Sequence, residues 1–198
     1  DNADSMLARA HTRTREGLRF EAGDLASYGR AASFDLVFSN AALHWVPDHP
    51  LLLARLSSLV RDGGQLAVQV PDNFDQPSHT AANAAAAEEP FRTALGAYTK
   101  PVHVLPPERY AVALHALGFD SITVRMQVYL HLLPNRDDVV EWVKGTTLTA
   151  FQERMPEGVF MAFLERYRAL LFEQLPDERP FPFTFKRILM WGRKRRAE

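Results

Sequence analysis

Apolar and polar positions along this chain switch between helical and strand periods, and the switches divide it into alternating elements. Met6-Leu7-Ala8-Arg9-Ala10 reads as a helix, with Asp1 or Asn2 placed to cap it. Leu18-Arg19-Phe20-Glu21-Ala22 reads as a short strand ended by Gly23-Asp24. Phe34-Asp35-Leu36-Val37-Phe38 is a second strand, whose nearly continuous apolar run predicts a sheet covered on both faces. Pro47-Asp48 opens a helix through Leu51 to Leu56, with a glycine stop at Asp62-Gly63-Gly64. Gln65 to Val70 is a third strand, broken by Pro71. Strand, helix and strand joined by short links predict a βαβ crossover in a parallel sheet.

Beyond Pro71 the pattern loosens. Residues 73–79 read as a loop and Ala81 to Ala87 as a helix by propensity. Pro106-Pro107 starts a helix that ends near Gly118, and Ile122 to Leu132 is a long strand. Asn135 to Asp138 opens a helix carrying Val139, Val140, Trp142 and Val143. After Pro156, Val159, Phe160, Phe163, Leu164, Tyr167, Leu170 and Leu171 follow helical i, i+3, i+4 spacing. A last strand, Phe181 to Trp191, runs into the basic end Arg193-Lys194-Arg195-Arg196. There is no internal repeat, and residues 1–198 are expected to form one α/β domain.

Composition narrows the chemistry. A formal net charge of -1 argues against a nucleic-acid or acidic-membrane partner, and the basic end is a short run that reads as a solvated tail. The absence of cysteine excludes thiol nucleophiles, disulfides and Cys-ligated zinc, and it suits a reducing, cytoplasmic setting. No apolar run approaches the roughly 18 residues of a membrane span. The acidic, polar start Asp1-Asn2-Ala3-Asp4 is unlike a signal peptide. The seven histidines show no HxH, HxxxH or HExxH spacing, so no metal site is expected.

In open α/β sheets ligands gather outside the carboxyl ends of the strands. Three segments stand at such ends: Gly23-Asp24-Leu25, Ser39 to Trp45, and Pro71-Asp72-Asn73. They offer a carboxylate, amides, an imidazole and an indole, which suits a ligand with a purine, a ribose and an amino-acid part. The set is not specific by itself.

These segments resemble class I S-adenosylmethionine-dependent methyltransferases. Asp1 followed by Ser5 to Ala10 resembles the end of that family's second strand and its next helix. Gly23-Asp24-Leu25 resembles the motif after the third strand. Phe34 to Asn40 with Leu43-His44-Trp45 resembles the fourth-strand motif, and Gly63 to Val68 resembles the fifth strand. Within the family, Asn40-Ala41-Ala42-Leu43-His44-Trp45-Val46-Pro47-Asp48-His49 is similar to the trans-aconitate methyltransferase pattern. So are Val68 to Asn73, Gln76 to His79, Glu141 to Thr146, and Phe181-Pro182-Phe183 with Phe185-Lys186-Arg187. Malonyl-carrier-protein methyltransferases share the fold and some of these motifs. The family opens with a strand and a Gly-rich turn that cradles the methionine end of the cofactor. The sequence begins at the acidic residue after that region, and none of its ten glycines forms such a turn. The resemblance therefore implies a Rossmann-like sheet truncated at its N-terminus, with helical substrate-cap insertions in 73–118 and 133–180.

It also implies roles. Asp1 would accept from the ribose hydroxyls with Asn2 nearby, Asp24 and Leu25 would hold the adenine edge, and Asn40 and Ala41 would line the methionine part and sulfonium. His44 and Trp45 would wall the adenine or the substrate. Plainer roles stand beside each: a helix cap for Asp1, a polar turn for Asp24 and Asn40, core packing for Trp45. The implied reaction is displacement at the sulfonium methyl by a carboxylate, ionised at neutral pH, so no general base is assigned. A polycarboxylate needs cations. Lys144 comes first, then Arg187 and Lys100, with Asn73, His79 and Tyr98 lining the same mouth. Each cation has the alternative of a solvated surface charge. The implied product is a monomethyl ester of a small, trans-aconitate-like polycarboxylate, made by a monomer with S-adenosyl-L-methionine. A carboxyl methyltransferase of the malonyl-carrier-protein type and an inactive fragment kept as a binding module are the alternatives. A nucleic-acid methyltransferase is disfavoured, because Ser39-Asn40-Ala41-Ala42 stands where a base-methylating motif would hold a flipped base.

Overall fold

A computed structural model describes residues 3–29 and 32–196. In chain order the elements are α1 (Asp4–His11), β1 (Phe34–Asn40), α2 (His49–Leu59), β2 (Val60–Pro71), α3 (Pro77–Ala87), α4 (Phe91–Ala94) and α5 (Pro107–Ala116). They continue with β3 (Phe119–Leu133), α6 (Asp137–Lys144), α7 (Thr149–Gln152), α8 (Glu157–Gln174) and β4 (Phe181–Lys194). The strands are hydrogen-bonded in the order β1-β2-β4-β3, and β1 runs parallel to β2. The β1-α2-β2 crossover expected from the pattern is therefore present. The chain divides into two compact units. The first comprises residues 1–70, 103–125 and 189–198, the second residues 71–102 and 126–188.

The first unit buries Leu52, Leu53 and Leu56 of α2 with Leu66, Val68 and Val70 of β2 and Tyr110 and Leu114 of α5. Asp48 caps α2: its carboxylate accepts from the Leu51 amide at 3.1 Å, and its φ of 54° lies in the left-handed region. At the other end of that helix the Lys194 ammonium donates to the carbonyls of Ser57 and Val60, each at 2.9 Å, placing a cation where the helix dipole is negative.

The glycine pair after α2 behaves differently from the expected helix stop. The helix already ends at Leu59, and Val60 pairs with Phe34 while the next matched pair is Leu36 with Gln65. Arg61 to Gly64 thus leave the ladder and return to it. Gly63 supplies a φ of 74°, and a Cβ on Gly64 would lie 2.9 Å from the Arg61 carbonyl oxygen and 3.0 Å from that of Asp35. Backbone on both sides leaves no room to yield. Gly64→Ala is expected to cost about 2 kcal/mol, read as a lower urea midpoint; an unchanged midpoint would contradict this packing.

Two further expectations are corrected, and a third falls outside the described residues. No regular strand covers Leu18 to Ala22, where the ladder is reduced to an isolated bridge between Arg15 and Leu18. A strand period without a bonded neighbour does not make a strand. β1 is not covered on both faces: Leu36 and Phe38, which share a face by strand alternation, are 50% and 69% exposed. Helix α1 opens at Ala3 without a side-chain cap, and the proposed cap residues Asp1 and Asn2 lie outside the described residues.

The second unit is built around α8. Phe160, Phe163, Tyr167 and Leu171 form its buried stripe and pack with Ala81, Ala82 and Ala85 of α3 and with Phe91 and Phe151. Small alanines on α3 let α8 approach closely. The Tyr167 hydroxyl donates to the Ser78 carbonyl at 3.1 Å, and Arg166 grips Glu88 with two bonds of 2.7 Å. Arg136 donates to the carbonyls of Phe172 and Leu175 at the C-terminal end of α8.

Candidate functional site

In the first unit a cleft of about 1050 Å³ opens beside β1. One wall is the turn at Asp24. There Asp24 Oδ1 accepts from the Ala26 amide at 2.7 Å and the Asp24 carbonyl accepts from the Tyr28 amide at 2.7 Å, so the chain reverses tightly. Asp24 and Leu25 line the cleft, and the exposed Asp24 carboxylate keeps acceptor capacity beyond its bond to Ala26. Tyr28 and Glu21 also line it, joined by a 3.2 Å bond from the phenol to Glu21 Oε2. These two were not anticipated. The available signal was Gly23, where a Cβ would sit 3.2 Å from the Tyr28 ring, so the glycine lets the ring lie against the turn.

The opposite wall is the segment after β1. Ala41, Ala42, Trp45, Val46 and Pro47 line the cleft, and Asn40 and His44 do not. The Ala41 amide bonds the Gln69 carbonyl at 2.9 Å, which extends the β1–β2 ladder by one step. Ala41 itself has a φ of 51°, left-handed for a residue with a side chain, and turns the backbone towards the cleft. Trp45 presents its indole, 57% exposed, with the His44 ring 4.6 Å away. Asp1 and Asn2 lie outside the described residues.

The remaining residues of interest belong to the second unit. Asn73 is buried, and its amide pairs with the backbone of Lys186: Nδ2 donates to the carbonyl at 3.1 Å and Oδ1 accepts from the amide at 2.7 Å. Its side chain acts as one more rung beside β4. His79 has Nε2 2.9 Å from the Thr147 hydroxyl and Nδ1 3.1 Å from that of Ser78. Burial first, then the nearby Lys100 charge, push its imidazole down to about 4. Burial also lowers Lys100. Lys144 is exposed and meets Glu141 at 3.4 Å, one turn back on α6. Arg187 stacks over the rings of Phe185 and Tyr129 at 4.9 and 5.7 Å. The Lys186 ammonium grips both oxygens of Asp75, at 2.6 and 2.7 Å, holding that carboxyl below its usual range, and burial raises Asp72. Among the described residues no group of three His, Asp or Glu side chains is placed to hold a metal ion, and no helix is long and apolar enough to cross a membrane.

Comparison with known proteins gives this geometry a family. A methyltransferase-domain family profile matches residues 1–68, the stretch that holds both cleft walls. A trans-aconitate 2-methyltransferase of Deinococcus radiodurans is 43% identical over 195 residues, covering 96% of this chain and 74% of the relative. One of Methylobacterium nodulans is 36% identical, covering 93% and 74%. Among solved structures the YcgJ protein of Bacillus subtilis superposes with a TM-score of 0.58 at 16% identity, over 100% of this chain and 81% of that one. That likeness fixes the fold as the Rossmann-like α/β architecture expected from the motifs. The long, nearly end-to-end identity carries the rest: the chain belongs to the trans-aconitate 2-methyltransferase family.

Proposed function

We propose that the chain transfers the methyl group of S-adenosylmethionine to a carboxylate of trans-aconitate. The observation that carries this reading is the 43% identity over almost the whole chain to a relative of that name. The cleft in the first unit supports it. Its volume of about 1050 Å³ suits a nucleoside-sized ligand, and its walls combine a carboxylate at Asp24, an apolar surface at Leu25 and an indole at Trp45. Asp24 accepts from the adenine amino group, Leu25 packs on the ring, and Ala41 faces the methionine part; Asn40, outside the cleft lining, is the residue before it at the end of β1. Trp45, with His44 beside it, closes the wall and excludes water. Asp1 and Asn2 belong to the ribose end in this reading.

When bound, S-adenosylmethionine supplies a positively charged sulfonium whose methyl carbon is electrophilic. An acceptor carboxylate would take that methyl group, leaving an ester and a neutral thioether, with no proton to move. The residues have only to align the partners and keep the crevice dry, which fits a site with no assigned base. For the acceptor, Lys144 and Arg187 are the candidate partners of the carboxylates and Asn73 and His79 further candidates in the second unit; Trp45 is the candidate of the first unit. It also keeps a monomer in the cytoplasm, acting without nucleic acid or membrane; the net charge of -1 supports the last part.

Calorimetric titration with S-adenosylhomocysteine tests the cofactor half. Asp24→Ala should weaken binding about tenfold, the effect of one lost charge-assisted hydrogen bond. Incubation with trans-aconitate and methyl-labelled cofactor should then give a base-labile methyl ester. No homocysteine-conjugate binding, or equal binding by Asp24→Ala, would sink the reading.

A further inference from the structure

Beneath the cleft wall lies a buried polar chain that this reading does not use. His49 is the first residue of α2 and is 1% exposed; Tyr110 of α5 and Leu43 are 0% exposed. His49 Nε2 is 3.1 Å from the Leu43 carbonyl oxygen, and Nδ1 meets the Tyr110 hydroxyl. The Tyr110 oxygen in turn lies 3.0 Å from the Leu105 amide. A carbonyl can only accept, so Nε2 carries the hydrogen and Nδ1 presents its lone pair. The phenol must then donate to Nδ1, leaving its oxygen to accept from Leu105. Every bond in the chain has one direction: Leu105 amide to Tyr110, Tyr110 to His49, His49 to Leu43.

The Leu43 carbonyl also accepts from the Val46 amide at 2.9 Å. It is therefore the anchor of the short turn that carries Trp45, Val46 and Pro47 into the cleft wall. That segment is bracketed by two non-glycine residues in the left-handed region, Ala41 at φ 51° and Asp48 at φ 54°. Each such residue is strained and persists only where the surroundings hold it. The start of a helix disfavours a cation, and burial, with the nearby His103 charge, lowers the His49 pKa further, so the ring serves as a neutral two-ended connector.

We propose that His49 and Tyr110 are positioning residues for the methyl transfer: they fix the Leu43 carbonyl, and through it the Trp45 wall of the cofactor cleft. The functional part rests on the reading that this cleft takes S-adenosylmethionine. A glutamine at position 49 keeps an amide donor for Leu43 and a carbonyl acceptor for Tyr110, at a separation close to that of the two ring nitrogens. Alanine keeps neither. Tyr110→Phe leaves the ring in the core and removes only the hydroxyl.

The test compares His49→Ala, His49→Gln and Tyr110→Phe by amide hydrogen exchange and by titration with S-adenosylhomocysteine. Exchange at Trp45 and Val46 should rise at least tenfold in His49→Ala and Tyr110→Phe, with Leu66 and Val68 in β2 unchanged. His49→Gln should stay near wild type. Affinity should fall about tenfold in the first two and less than threefold in His49→Gln. Unchanged exchange at Trp45 and Val46 overturns the proposal. So does a uniform rise that includes Leu66 and Val68, because the pair would then hold the whole unit rather than the wall. If the wild-type chain binds no S-adenosylhomocysteine, the functional reading fails, and the exchange pattern still decides whether the wall is tied.

Discussion

Phe163→Ala is expected to cost about 4 kcal/mol, in the range for a large aromatic truncated inside a packed core. The ring is fully buried and has three aromatic neighbours. Phe91 meets it edge-on at 5.5 Å and 83°, Phe151 lies tilted at 5.3 Å, and Phe160, one turn earlier on α8, stacks at 6.1 Å. Edge-on and offset pairs of this kind add to the area term. Because α3, α4, α7 and α8 all reach this cluster, the hole cannot close by moving one of them. Met161, two residues earlier on the same helix, is 53% exposed, and Met161→Ala should change stability by no more than about 0.5 kcal/mol. Urea unfolding of the pair is the measurement. A loss below about 1 kcal/mol for Phe163→Ala would mean the core is looser than it looks.

That cluster was legible in the sequence because a helix writes its buried stripe into local spacing. Phe160, Phe163, Tyr167 and Leu171 are buried, and Val159, Leu164 and Leu170 flank them as partly buried neighbours. The same reasoning found α2, α3, α5, α6 and the last two strands. It failed where partners decide. Gly63-Gly64 has the same local signature as a helix stop and as an excursion in a strand; pairing of Val60 with Phe34 makes it the second. Leu18 to Ala22 has a strand period and no ladder. The four-residue helices α4 and α7 are too short to show a period.

The candidate site divides in the same way. Asp24, Leu25, Ala41 and Trp45, singled out by the family resemblance, line one cleft; of these only Ala41 and Trp45 follow a strand, β1, as ligand loops in an open α/β sheet do. Asn40 and His44 sit in the right loop but outside that wall. The roles of Asn73 and His49 depend on partners more than 60 residues away, Lys186 and Tyr110. For His49 the sequence shows only the last residue of the Asn40-to-His49 motif, which says nothing of a tie to α5. Lys144 shows the reverse case: its contact with Glu141 at i, i+3 is readable on any helix and adds little at an exposed position.

Acid should destabilise the second unit through His79, by on the order of 2–3 kcal/mol between neutral pH and about pH 4.5. In the fold its imidazole is held down to about 4 by burial and by Lys100; in the unfolded chain it titrates near the ordinary value of about 6.5. Between those two values the unfolded state binds a proton that the folded state does not, so stability rises with pH across the window. The contribution is fully present above the unfolded value and lost as pH falls towards the folded one. Asp72 and Asp75 titrate in the acid range as well, so the term is isolated as the difference between wild type and His79→Gln, which keeps an amide for Thr147 and Ser78. Urea midpoints of the two proteins should converge as the pH drops from 7 to 4.5; parallel curves would show that His79 is not held neutral. Saturating trans-aconitate adds a functional arm. An acceptor carboxylate against His79 would favour the imidazolium, raise the folded value and flatten the wild-type curve. A curve of unchanged slope with bound trans-aconitate would remove His79 from the acceptor side and leave it as a buried polar contact between Ser78 and Thr147.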